Sequence, residues 1–143
     1  MVVVRNALGV IVGAVLWFPV FFTLAWLLTL VWPAYAVDAR AWMESQTFSF
    51  APAMAVCNVV FWIASEVAVG GVAVLVARRR EAAWVLAALV MGYLCYVHLY
   101  AAWSNMPWWY NLLVALPSGP AVVLGGRLAA RFARAPSAVA APA

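Results

Sequence analysis

Residues 45–77 read SQTFSFAPAMAVCNVVFWIASEVAVGGVAVLVA, and the basic run Arg78-Arg79-Arg80 closes them. One residue of the stretch is charged, Glu66. A helix needs about 20 mainly apolar residues to cross the hydrocarbon core of a bilayer, and this stretch has length to spare. A carboxylate in such a helix costs several kcal/mol unless it is protonated or paired. The stretch therefore reads as a transmembrane helix with one expensive residue near its middle.

Working outward, the same pattern recurs. Apolar spans fall at about 7–32, 48–77, 82–103 and 108–126. No charge occurs between residues 82 and 126. One helix of that length would reach about 67 Å, twice the hydrocarbon thickness, so the segment folds back on itself. Ser104-Asn105-Met106-Pro107 is the polar, proline-bearing place to turn. The expected fold is an all-α membrane protein, a four-helix transmembrane bundle over residues 1–134. A small-residue, Pro-containing tail at 135–143 is expected to be disordered.

Composition excludes a soluble domain. The 143 residues are 70% hydrophobic and 8% charged, against roughly 25% charged in a soluble protein. The net charge of +4 does not point to nucleic acid, because the arginines sit at span ends and form no face that tracks a phosphate backbone. Their placement instead sets orientation. Arg5, Arg78, Arg79, Arg80, Arg127, Arg131 and Arg134 fall on one side of four crossings, and Arg40 on the other with Asp38 and Glu44. The positive-inside rule then places both termini in the cytoplasm, in a bacterial inner membrane. Trp32, Tyr35, Trp42, Trp103, Trp108, Trp109 and Tyr110 supply an aromatic belt at the opposite interface. Ala34-Tyr35-Ala36 imitates a signal-peptidase site, but the apolar stretch before it far exceeds the 7–15 residues of a signal core, so the first span is expected to stay.

Glu66 is eleven residues from Ala77, about 16 Å above that end of the helix. Its helical neighbours are Ala55, Val59, Trp62, Gly70, Ala73 and Ala77, a mostly small face that turns the carboxyl into the bundle or an oligomer contact. Two roles follow. As helix glue, Glu66 bonds a nearby carbonyl or hydroxyl, and Glu66→Leu destabilises by about 0.6–2 kcal/mol. As a proton or cation site, it needs partners in series. His98 is the candidate second member, although its height suits an ordinary interfacial histidine better. Ser118 is the third, at similar depth, inside Leu116-Pro117-Ser118-Gly119-Pro120. Pro117, Gly119 and Pro120 predict a kink or unwound stretch whose freed carbonyls join Ser118 beside Glu66.

Other features read as packing. Tyr93, Tyr96, Tyr100 and Trp103 form a stripe opposite His98, expected to pack across the bundle. Gly9 and Gly13, Gly70 and Gly71, and Gly125 and Gly126 mark close helix approach toward the arginine side. Cys57 and Cys95 differ in height by about 10 Å, too far for a disulfide. No metal or cofactor set is discernible.

Taken together, Gly70-Gly71, Arg78-Arg79-Arg80-Glu81, Pro107-Trp108-Trp109-Tyr110 and Pro120 through Leu124-Gly125-Gly126-Arg127-Leu128 resemble the motifs of a group of small, uncharacterised bacterial four-helix integral membrane proteins. The resemblance covers the last three spans and implies the topology but no activity. The function expected is non-enzymatic: an accessory or structural subunit that packs with copies of itself or other membrane proteins. A proton- or cation-coupled transporter or channel using Glu66 is the alternative.

Overall fold

The computed structural model describes residues 2–45 and 48–133; Arg134 and the tail expected at 135–143 lie outside them. Five α-helices follow in chain order: α1 Val2–Val31, α2 Pro33–Ser45, α3 Pro52–Ala77, α4 Glu81–Tyr96 and α5 Trp108–Phe132. A π-helical turn, Val97–Ala101, extends α4. Four helical segments are long and apolar enough to cross a membrane: Val3–Val31, Pro52–Ala77, Glu81–Ala101 and Trp108–Phe132. The protein is an all-α, multi-pass four-helix membrane bundle.

Proline and capping chemistry sets several boundaries. Pro33 and Pro52 stand first in α2 and α3, where a missing N–H costs nothing. Trp32 starts α2 by accepting hydrogen bonds from the Tyr35 and Ala36 amides, at 3.0 and 3.3 Å. The helix α2 is not anticipated in the sequence reading, because thirteen mixed residues carry no span-like signal. It anchors itself through buried Tyr35, whose hydroxyl donates to the Asn58 carboxamide oxygen of α3. Burial pushes the Tyr35 phenol above its usual range. At its far end α3 stops on Arg78, in the left-handed conformation (φ 54°, ψ 29°) that usually belongs to glycine. The fourth span continues six residues past Gly126, because Arg127 and Arg131 end the apolar run without breaking helix hydrogen bonding.

The centre of the bundle is α3, which packs along α1 and α5, while α4 packs chiefly on α5. Antiparallel α1 and α3 meet where a Cβ on Gly9 would lie 2.5 Å from the Ala73 carbonyl oxygen, and one on Gly13 3.2 Å from that of Val69. Parallel α3 and α5 meet backbone to backbone, Gly70 on Val122 and Gly125 on Val67. Gly126 admits the Ala83 methyl of α4, and Gly71 lies against Gly125 and Ala129. These contacts occupy the half of the bundle nearer the arginines. Rings fill the other half: Trp62 stacks on Phe21 at 3.9 Å and meets Trp17 edge-on at 5.6 Å, and Phe48 packs on Tyr110 at 4.9 Å.

Two expectations are corrected. Pro117, Gly119 and Pro120 do not break α5, which runs through all three. Pro120 is exposed and Pro117 half-buried, so the carbonyls they leave unpaired lie toward the outer side of the helix. The tyrosine stripe is interior packing only at Tyr93, which meets the Trp17 and Phe18 rings of α1 edge-on at 5.8 and 6.1 Å. Tyr96 and Tyr100 are 60 and 77% exposed on the outward side of the α4 segment, Tyr93 is 48% exposed at its edge, and Trp103, just beyond it, is 44% exposed. The buried phase of that segment is Ala83, Ala87, Val90, Leu94 and His98, and a face opposite His98 must point away from the core.

Candidate functional site

Glu66 is fully buried, and neither carboxyl oxygen has a hydrogen-bond partner among the described residues. Helix periodicity shows what surrounds it. Gly70 touches Val122, and one turn toward the aromatic end those helices carry Glu66 and Ser118 on the same facing sides. On α1, one turn beyond Gly13, Trp17 reaches the same level and packs on Trp62, one turn from Glu66. The carboxyl thus sits on the interior face of α3, about 16 Å from the Ala77 end of its helix. The face read from the sequence is the interior one: Ala55, Val59, Ala73 and Ala77 are all buried.

The hydroxyls near this level serve their own helices. Ser118 Oγ donates to the Ala115 carbonyl at 2.7 Å, and Ser65 Oγ to that of Trp62 at 2.7 Å. Trp17 Nε1, on a ring 4% exposed, also lacks a partner among the described residues. Two polar side chains of the interior, the Glu66 carboxyl and the Trp17 indole N–H, are therefore buried without a hydrogen bond among the described residues. This corrects the glue reading, because no described carbonyl or hydroxyl accepts from or donates to Glu66. Each such group carries a desolvation penalty of about 1–3 kcal/mol.

His98 belongs to a different cluster. It is 4% exposed, and its Nδ1–H donates to the Asn111 Oδ1 at 3.0 Å. The Asn111 amide donates in turn to the carbonyls of Trp103 at 3.4 Å and Met106 at 3.3 Å. One buried carboxamide thus ties the π-helical turn, the 102–107 connection and the start of α5 together. Asn111 is seven residues from Ser118, about 10 Å, so His98 stands two turns from Glu66 in level. The expected interfacial, wetted histidine is corrected to a buried, bonded one. The sequence reading missed Asn58 and Asn111 altogether. The available signal was phase, since Asn111 lies two full turns from Ser118 on one face and Asn58 two turns from Glu66 on another.

Asn111→Leu removes three hydrogen bonds at once and leaves the His98 N–H buried without its acceptor. The expected outcome is a loss of about 2 kcal/mol in folding stability, with faster amide exchange over residues 102–107, measured by hydrogen–deuterium exchange in detergent micelles. Unchanged exchange there would show that the connection is held by other contacts.

Cys57 and Cys95 are both free thiols. Among the described residues no three His, Cys, Asp or Glu side chains come together as a metal-binding group. At the arginine end, the Arg127 guanidinium lies over the Trp84 ring at 5.9 Å. No family model, curated protein or solved structure matches the chain.

Proposed function

We propose that the protein is a small accessory subunit of the bacterial inner membrane, non-enzymatic, that works by packing the outward face of α4 against another membrane helix. Gly92 carries this reading. It is exposed, and a Cβ built on it meets nothing within 4 Å. Ala88, one turn earlier, is exposed as well. Small residues four apart let two backbones approach closely in lipid, and here that spacing lies on a face the bundle does not use. The exposed Tyr96 and Tyr100 lie further along the same segment, and their hydroxyls are available to bond across a helix pair. The partner is a second copy or another membrane protein. The arginine asymmetry supports cytoplasmic termini, so a cysteine placed at Arg79 is expected to resist an impermeant thiol reagent in intact cells while one at Glu44 reacts.

Purification in mild detergent tests the reading. Gly92→Leu places its side chain in open space, so the isolated chain is expected to keep its melting temperature. The same substitution is expected to convert an oligomer to monomer or to strip away a stoichiometric partner. A wild-type protein that purifies as a bare monomer counts against the proposal.

The unpartnered Glu66 favours a second reading, a proton- or cation-coupled transporter or channel. An ionisable residue at mid-membrane with no structural bond is a functional candidate by default. Gln matches the shape of Glu but exchanges no proton. Glu66→Gln is therefore expected to assemble normally and abolish pH-driven flux in reconstituted vesicles; wild-type vesicles that dissipate no proton or cation gradient remove this reading.

A further inference from the structure

The arginine end of the bundle carries a cleft of about 770 Å³ between the last turn of α3, the 78–80 turn, the start of α4 and the last turn of α5. Its rim is charged and its wall apolar. Arg78, Arg79 and Arg80 line it with a single acidic residue, Glu81, while Leu75 and Ala130 form the wall. All three arginines are exposed, and Leu75 is 55% exposed on the membrane-spanning part of α3. The cleft is thus bordered both by exposed arginines at the span end and by exposed Leu75 on the membrane-spanning helix.

A positive-inside signal needs cations near a span end but does not need them around a concave surface. Arg78 adds a second point. It occupies the left-handed position at the end of α3, where glycine is the unstrained choice. An arginine there is held against backbone preference, and Arg78 lines the cleft.

We infer that this cleft binds an anionic phospholipid of the membrane itself, its phosphodiester on the Arg78–Arg80 guanidiniums and an acyl chain along Leu75 and Ala130. Guanidinium forks match phosphate oxygens in pairs, and basic pockets between membrane helices suit acidic headgroups. Charge complementarity selects the acidic lipid over a zwitterionic one. The apolar wall selects a lipid over free phosphate. The site is independent of the α4 face and of Glu66, so it stands whichever functional reading holds.

Native mass spectrometry of the full chain tests this, with titrations of phosphatidylglycerol, phosphatidylcholine and inorganic phosphate. Phosphatidylglycerol is expected to bind at least tenfold more tightly than phosphatidylcholine and to resist displacement by inorganic phosphate. Arg79→Gln with Arg80→Gln is expected to weaken it about 25-fold, at roughly fivefold per arginine near a membrane surface. Arg78→Gly separates binding from folding, because glycine relieves the left-handed backbone. It is expected to lose about fivefold in lipid affinity while melting at the same or a higher temperature. Arg5→Gln, at the same end but outside the cleft lining, is expected to change affinity less than twofold. Equal binding of the two lipids, displacement by phosphate, an Arg5→Gln loss as large as the cleft variants, or full affinity in Arg78→Gly would each overturn the inference.

Discussion

Gly125→Ala, and separately Gly70→Ala, is expected to be the most damaging single methyl that can be added to this protein. A Cβ on Gly125 would fall on the Val67 backbone, and one on Gly70 on that of Val122. Neither obstacle is the end of a flexible side chain. Both are main-chain atoms in the middle of neighbouring helices, so relief requires α3 and α5 to separate along the interface that holds the centre of the bundle together. Overpacking a core costs about 1–3 kcal/mol where side chains can shift, and a backbone obstacle belongs at or above the top of that range. The loss is expected to appear as unfolding at lower denaturant in a detergent titration. Gly92→Ala is the control, because its surroundings are open. Equal stability of Gly125→Ala and Gly92→Ala would mean that α3 and α5 do not meet as described.

The second large effect concerns Glu66 and has the opposite sign. Were the carboxyl bonded to a carbonyl or hydroxyl, Glu66→Leu would cost about 0.6–2 kcal/mol, the range for interhelical hydrogen bonds in membranes. Among the described residues it has no such partner. Leucine, similar in volume and apolar, removes a buried unsatisfied group and loses no bond. The substitution is therefore expected to stabilise the bundle by about 1–3 kcal/mol. Glu66→Gln, equally polar, is expected to change stability little. Glu66→Lys is expected to prevent folding, since an ammonium there is fully buried and meets no counter-ion among the described residues. The check is a denaturant titration of the three variants side by side. A clear loss of stability in Glu66→Leu restores the bonded carboxyl and refutes the geometry. A gain on removing the residue would show that Glu66 is kept in the chain for something other than stability.

The helices of this protein are largely legible in its residues, and the partners of its polar groups are not. Four spans follow from apolar runs and bracketing arginines, because hydrocarbon leaves backbone groups no alternative to the helix. Glu66 is legible as an interior residue because its neighbours at helical spacing are small, and spacing along one helix is a local property. The same test applied to α4 would have turned His98 inward and Tyr96 and Tyr100 outward. Judging His98 by height alone missed this, since height does not distinguish the two sides of a helix. The prolines of α5 misled for a related reason. Losing two N–H donors predicts an unwound stretch in an isolated helix, whereas here α5 stays helical through the gap, with Pro120 exposed and Pro117 half-buried.

The division between sequence and tertiary structure follows from what each interaction spans. Membrane class, number of crossings, the interior face of α3 and the clustering of arginines at one end were determined by the sequence alone, through hydropathy and charge acting along one segment at a time. Only the tertiary structure decided that Asn111 holds His98 and the 102–107 connection, that Tyr35 of α2 closes on Asn58, and that Gly70 and Gly125 admit the backbone opposite. Each of these joins residues that no helical period relates, so the packed bundle alone settles which side chains meet.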